Sequence, residues 1–215
     1  MSVRSDSARR RFRPSLVRLL FIGESPPASG RFFYHGDSGL YRAMRDTFRA
    51  VDPGIDDENF LPVFQASGCY LIDLCPEPVD HLSSELRRAA CRAGEAKLSR
   101  TIARLQPLMI ATVVRSIERN VTRASCRAGW HGPFIHLPYP GRWSRYRKVF
   151  LDTLAPSISS LRGGIGLTHR LADADARYGQ LHGLVGGEVL VGLQHPGVSL
   201  IEIEKPGAVG PVGAF

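Results

Sequence analysis

The sequence has no run of about 20 apolar residues, so no membrane-spanning helix and no membrane partner are expected. Its N-terminus is rich in Arg but lacks the apolar stretch and small-residue cleavage site of a secretory signal, which points to a cytoplasmic protein. Cysteine is scarce. Cys69, Cys75, Cys91 and Cys126, spread through 215 residues, do not suggest a secreted disulfide scaffold and suit a reducing compartment. They also lack the Cys/His spacing of a zinc site. No P-loop and no GxGxxG fingerprint is present, so the two commonest phosphate-cradling loops are excluded. No internal repeat is visible.

What is there is an ordinary globular composition, 43% hydrophobic and 22% charged, which excludes a wholly disordered chain. The length is enough to bury a core without staples. Lys and Arg number 28 against 20 Asp and Glu, a formal net charge of +8. That excess fits a polyanionic partner such as nucleic acid, or serves solubility alone. It is uneven. Residues 1–159 carry 24 basic and 15 acidic side chains, whereas residues 160–215 carry 4 and 5 and hold 12 of the 22 glycines. Three segments follow: a disordered basic arm over 1–14, a domain over 15–159 and a Gly-rich C-terminal extension over 160–215. Within the extension, Val189–Val191 and Val198–Glu204 read as two strands.

The central segment alternates between two periods. Leu16–Ile22 is a short apolar run stopped by Gly23 and reads as a buried strand. After a Pro- and Gly-rich loop, Asp37-Ser38 cap a helical pattern through Leu40, Tyr41, Met44, Phe48 and Val51, closed by Asp52-Pro53-Gly54. Tyr70–Leu74 reads as a second strand, Ser83 or Ser84 caps a helix to about Leu105, and Pro107–Val114 is a third strand, apolar throughout as a parallel sheet requires. A short helix over 116–125, a strand over Pro133–Leu137 and a helix over 143–154 complete the pattern. Such alternation predicts an α/β three-layer sandwich around a four-stranded parallel sheet. In open sheets of this kind ligands bind outside the carboxyl ends of the strands. Gly23–Pro27, Asp73–Pro76 and Leu137–Arg142 are predicted to lie there.

The sequences of those segments carry a resemblance. GESPP (Gly23–Pro27) after the first strand, GRFFYHGDSGLYRAM (Gly30–Met44) leading into a helix, and LPYPGRW (Leu137–Trp143) in the last loop resemble motifs of the uracil-DNA glycosylase superfamily. They are closest to its iron–sulfur (family 4) branch in bacteria and archaea, which reads GEAPG, then a GRPF-type segment, then an HPSP-type loop. The match covers about residues 17–155, in order. The resemblance implies the four-stranded parallel sheet and hydrolysis of the N-glycosidic bond of uracil or another altered base in DNA. Such enzymes extrude the target nucleotide into a pocket.

Carried over position by position, Gly23 and Glu24 fall on the Gly-Glu of GEAPG. Glu24 would orient or activate water and offset positive charge on the sugar, or else serve a cap or an ion pair. Ser25 falls where other branches carry a catalytic Asp or Asn; Ser holds a water but is a poor base. Pro26 belongs to the same loop. Phe33 falls on the aromatic that stacks on the extruded base, an interaction worth about 1–3 kcal/mol, with core packing as the alternative. Asp37 is expected to cap the following helix. Pro138, Tyr139 and Pro140 would form a rigid wedge entering a DNA groove, and Arg142 and Arg145, with Arg147 and Lys148, would neutralise phosphates.

The pattern also departs from the family. Leu71 stands where an Asn would hydrogen-bond the base, leaving Asp73 as the nearest polar group, either a reader of a base edge or a strand end. Leu137 stands where His is expected; His136 is one residue off and so faces the other way, as a structural residue. Cys75 and Cys91 are separated by fifteen residues, like two cluster ligands of the iron–sulfur branch, but the N-terminal segment has no cysteine. No cluster, no metal and no other cofactor is therefore expected. Two rivals to a glycosylase remain: a catalytically silent nucleic-acid-binding module on the same fold, and an α/β enzyme acting on a small phosphorylated ligand.

Overall fold

Each buried apolar run forms a strand in the computed structural model, and each Ser-capped pattern forms a helix. The structure describes residues 3–141 and 143–178, with side chains over 6–141 and 143–163. Arg142, the tail from residue 179 and its two predicted strands lie outside the described residues. The chain divides into two compact units, Met1–Ala174 and Asp175–Phe215.

Four strands form one sheet: β1 (Leu19–Gly23), β2 (Cys69–Asp73), β3 (Met109–Thr112) and β4 (Phe134–His136), ordered β2-β1-β3-β4 and parallel throughout. Every residue of β1 is buried, as expected for a strand covered on both faces. Helices flank the sheet, so the three-layer α/β architecture read from the sequence holds. The register sets Gly23 beside Asp73 and Ile22 beside Thr112. The pairing continues past the strands: Leu74 N–H donates to the Gly23 carbonyl (2.9 Å), Cys75 N–H to Glu24 (2.8 Å), Val113 N–H to Ile22 (3.1 Å) and Leu137 N–H to Thr112 (2.9 Å). The loops at the carboxyl ends are thereby fixed side by side.

The helices begin where their caps dictate. Ser38 accepts from Tyr41 N–H (3.1 Å) and starts α2 (Gly39–Val51); Ser83 accepts from Leu86 N–H (3.3 Å) and starts α4 (Ser84–Leu105). Ser38, not Asp37, is the cap of α2. Asp37 instead closes the preceding loop by accepting from Phe32 N–H (2.7 Å). The intervening α3 (Phe60–Ala66) escapes a sequence reading because it is short and its first turn has no side-chain cap. Phe64 of α3 stacks on Phe21 of β1 (5.7 Å between centroids), and Phe48, Phe60 and Phe33 pack around Phe64. Helix α5 (Glu118–Arg127) is clipped to α4 through buried Glu95, which accepts from Asn120 (2.8 Å) and from Arg123. Those partners hold the Glu95 carboxyl below its ordinary range, the Arg123 hydrogen bonds foremost.

Two boundaries differ from expectation. Residues 1–14, expected as a disordered arm, carry helix α1 over Val3–Arg11. Asp6 in its first turn and Arg9, Arg10 and Arg11 in its last complement the helix dipole. Phe12 stacks on Tyr34 (6.0 Å), and Gln65 donates to the Arg11 and Arg13 carbonyls. These contacts are tertiary, and the segment has no apolar stripe to announce them. The last helix, α6, runs over Ser144–Tyr178 and passes straight through the boundary expected near residue 159. Pro156 lies inside it and removes one helical hydrogen bond. Phe150, Leu154, Ile158 and Leu161 nonetheless form one buried stripe across it, Arg18 donates to the Leu161 carbonyl (2.8 Å), and Arg162 pairs with Asp52.

Gly94 of α4 tests how closely this layer packs. A Cβ there would overlap the Leu74 carbonyl oxygen in the chain leaving β2. Ala is favoured over Gly in a helix by about 0.5–1 kcal/mol, but overpacking against fixed backbone costs about 1–3 kcal/mol. Gly94→Ala is therefore expected to lower the urea midpoint with an unchanged slope. A raised midpoint would mean that α4 is free to move away from the chain after β2.

Candidate functional site: a pocket over the strand ends

The sheet order reverses direction between β1 and β3, and a pocket opens there, beyond the carboxyl ends of the strands. Its volume is about 370 Å³. Pro26, Pro27, Phe32, Phe33, Leu71 and Val113 make most of the wall; Glu24, Asp73 and Arg87 are among its charged members. The structure thus brings together Gly23, Glu24, Ser25, Pro26, Phe33, Asp73 and Tyr139 of the predicted site residues in one cavity.

Gly23 is required by Asp73. A Cβ on Gly23 would stand 2.6 Å from Asp73 Oδ1, so only a residue without a side chain lets that carboxyl lie over the strand end. Asp73 has no hydrogen-bond partner among the described residues. Asp73 is half-buried; desolvation by burial pushes its pKa up to about 6, and Arg9 pulls in the opposite direction.

Glu24 differs. Arg87 of α4 grips both of its oxygens, Nε donating to Oε1 at 2.7 Å and the second guanidinium nitrogen to Oε2. Cys91 Sγ also lies 3.7 Å from Oε1. The ion-pair reading of Glu24 therefore describes its observed contacts, and the pair ties the β1 loop to α4. Ser25 Oγ accepts from Val79 N–H (3.2 Å), and Ala28 N–H donates to Asp80 (3.1 Å). Both bonds pin the Pro26-Pro27 loop to the segment after β2.

Phe33 lines the pocket and belongs to the core at once. It is buried and contacts Tyr34, Tyr41, Phe60 and Phe64 at centroid distances of 5.0–6.1 Å. Phe32 shares the wall. Tyr34 holds this corner to the sheet edge: its hydroxyl donates to the Leu71 carbonyl (3.0 Å) and accepts from Leu71 N–H (2.7 Å), filling the bonds an edge strand leaves open. Leu71 itself presents only an apolar surface to the pocket.

The last loop corrects the expected wedge. Pro138 and Pro140 are buried, so neither projects as a blade. Tyr139 between them is 49% exposed and Trp143 is 61% exposed. With Val114, Arg115 and Tyr146 these two rings line a groove of about 540 Å³ that shares Tyr139 and Val114 with the pocket. Arg145 is exposed and lies over the Tyr146 ring (4.8 Å). Arg147 donates to the Gly141 carbonyl, and Lys148 pairs with Asp152. His136 is outside the pocket, with Nδ1 3.2 Å from Thr112 Oγ1.

The cysteines do not fit a four-thiolate cluster. Cys75 and Cys91 approach to 3.8 Å, and burial raises the Cys75 thiol to about 12. Cys69 is buried at the opposite end of β2 and Cys126 is exposed on α5. Among the described residues no group of three His, Cys, Asp or Glu side chains gathers as a metal site.

Arg87, Phe32 and Trp143 are site residues that sequence reasoning misses. Nothing local links Arg87 to Glu24, 63 positions away. Phe32 is masked by its aromatic neighbour, whereas Trp143 is visible as the ring closing LPYPGRW. No protein-family model and no curated protein matches the chain.

The Asp73 environment makes a stability prediction. The unfolded chain releases the Asp73 proton near pH 3.9, while the folded chain keeps it to about pH 6. Between those values the unfolded state binds fewer protons, so this group's contribution falls as pH rises. Asp73→Asn is therefore expected to gain on the order of 1–3 kcal/mol over the parent on going from pH 4 to pH 7. Urea unfolding at both pH values measures it. A constant difference between the two proteins would contradict the raised value.

Proposed function

We propose that this protein binds DNA and hydrolyses the N-glycosidic bond of an altered base extruded into the pocket over β1, β2 and β3. The observation that carries the reading is the pocket's combination of walls and charge. Phe32, Phe33, Leu71 and Val113 suit a flat heteroaromatic ring, and Asp73 at its edge is a carboxyl without a hydrogen-bond partner among the described residues. The resemblance of GESPP, GRFFYHG and LPYPGRW to uracil-DNA glycosylases supports the same chemistry.

In the reaction a water oxygen bonds to C1′ of the sugar, the C1′–N bond breaks with its electron pair leaving on the base, and the water's proton ends on the base or solvent. Asp73 contributes at the base. Protonated, it donates to a ring acceptor and stabilises the departing anion; ionised, it accepts from a ring N–H or an exocyclic amine. Glu24, paired with Arg87, keeps lone pairs that orient water and offset charge on the sugar. Ser25 and the Pro26-Pro27 loop shape the entrance. Tyr139 and Trp143 offer stacking surfaces to flanking nucleotides, and Arg145 a phosphate contact.

The Glu24–Arg87 pair and the apolar Leu71 favour a second reading, a nucleic-acid-binding module without catalysis. Base release distinguishes the two. Oligonucleotides carrying uracil, hypoxanthine, xanthine or a thymine mismatch are incubated with the protein and treated with alkali. Wild type is expected to release at least one base. Asp73→Asn and Glu24→Gln are each expected to slow release about 100-fold, the ordinary size of an acid–base or electrostatic contribution. Binding without release by wild type would establish the second reading, and neither would overturn both. Phe33→Ala is a poor test, because emptying a buried Phe site costs about 3–5 kcal/mol, a large share of the roughly 5–15 kcal/mol that holds a domain together.

A further inference from the structure

A second cavity, of about 510 Å³, lies between α1, β2 and α4. The alternation of β2 separates it from the first: Tyr70 and Ile72 line this cavity and Leu71 lines the other, with Asp73 shared. Its walls carry Arg10 and Arg13 from α1 and the turn after it, and Lys97 and Arg104 from α4. Among the described residues none of these four has a carboxylate partner. The acids in the wall are Asp6, which pairs with Arg9 at 2.6 Å, and Asp73. Four cations from two segments remote in sequence thus converge on one concavity and outnumber its acids. Tyr70, only 7% exposed and with no hydrogen-bond partner for its hydroxyl among the described residues, offers that group to the same space. Leu98 and Leu105 supply apolar floor.

A wall of this kind repels cations and gives a neutral ligand little to bind. A single chloride or carboxylate uses one of the four charges. The ligand that uses them together carries several anionic oxygens close to one another on a body of nucleotide size or smaller. Guanidinium groups match phosphate oxygens two at a time, and the ammonium adds a point charge. We infer that this cavity binds a ligand with two or more adjacent phosphate groups, gripped by Arg10, Arg13, Lys97 and Arg104 with Tyr70 as a hydroxyl donor. Adjacent phosphates come from a free polyphosphate or nucleotide, or from successive links of a nucleic-acid strand. The inference does not depend on base release in the other pocket.

Calorimetric titration of the full chain at fixed ionic strength tests it, with sodium pyrophosphate, ATP and a short single-stranded oligonucleotide as separate arms and sulfate as the control. Lys97→Ala/Arg104→Ala removes two exposed side chains from α4, and circular dichroism checks its fold. Arg10→Ala/Arg13→Ala repeats the test from α1. Each double variant is expected to weaken binding at least about tenfold, since removing a single charge-assisted hydrogen bond is enough for that factor. Pyrophosphate or ATP binding that is so weakened identifies a free polyphosphate site. Weakening confined to the oligonucleotide identifies strand phosphates. Binding no tighter than sulfate in every arm, or equal affinity in wild type and both variants, overturns the inference.

Discussion

Gly23 and Asp73 occupy one register position on neighbouring strands, and there is room for only one side chain above it. The carboxyl of Asp73 takes that space. The rest of the pocket follows from this exclusion. Because Gly23 is bare, the Asp73 carboxyl lies over it, and beside it the backbone pairing continues from Cys75 N–H to the Glu24 carbonyl. Asp73, half-buried over the strand end, loses enough hydration there to hold its proton to about pH 6, with Arg9 opposing. A small cavity with one chemically distinctive group results.

The surrounding contacts keep that geometry fixed. Arg87 ties Glu24 to α4, Ser25 and Asp80 tie the Pro-rich loop to the segment after β2, and Asp37 closes the loop ahead of α2. The first two of these clamps join segments remote in sequence. Tyr34 fixes the edge of β2 through both polar groups of Leu71, and burial pushes its phenol well above the ordinary value, so the bond stays neutral across the working pH range. Preorganisation of this kind is what a site needs if its charges are to meet a ligand without first rearranging.

Much of this is legible in the sequence alone. A strand buried on both faces is largely apolar, and the runs Leu16–Ile22, Tyr70–Leu74 and Pro107–Val114 stand out for that reason. Ser38 and Ser83 announce their helices through the same capping chemistry that the structure displays. What is illegible depends on tertiary partners. Helix α1 has no stripe of its own and is held by Phe12 and Gln65. Helix α6 continues past Pro156 because Ile158 and Leu161 have a core to enter. For Glu24 the sequence leaves a water-orienting role and an ion pair both open and does not name Arg87 as the partner, and Pro138 and Pro140 read as a blade until they are seen to be buried. The cationic cavity is likewise invisible in sequence, where Arg10 and Arg104 are two residues among many basic ones.

The site depends above all on Asp73 being a carboxyl whose burial outweighs the pull of Arg9 and which has no hydrogen-bond partner among the described residues. The carboxyl carbon resonance of Asp73, assigned by its loss in Asp73→Asn and followed by NMR from about pH 3 to pH 8, a range that brackets the solvated and the raised value, tests this most directly. A midpoint near 6 is predicted. A midpoint at or below about 4, the value of a solvated aspartate, would show that water or a partner already satisfies the group, and would remove the physical basis for giving it a role at the base.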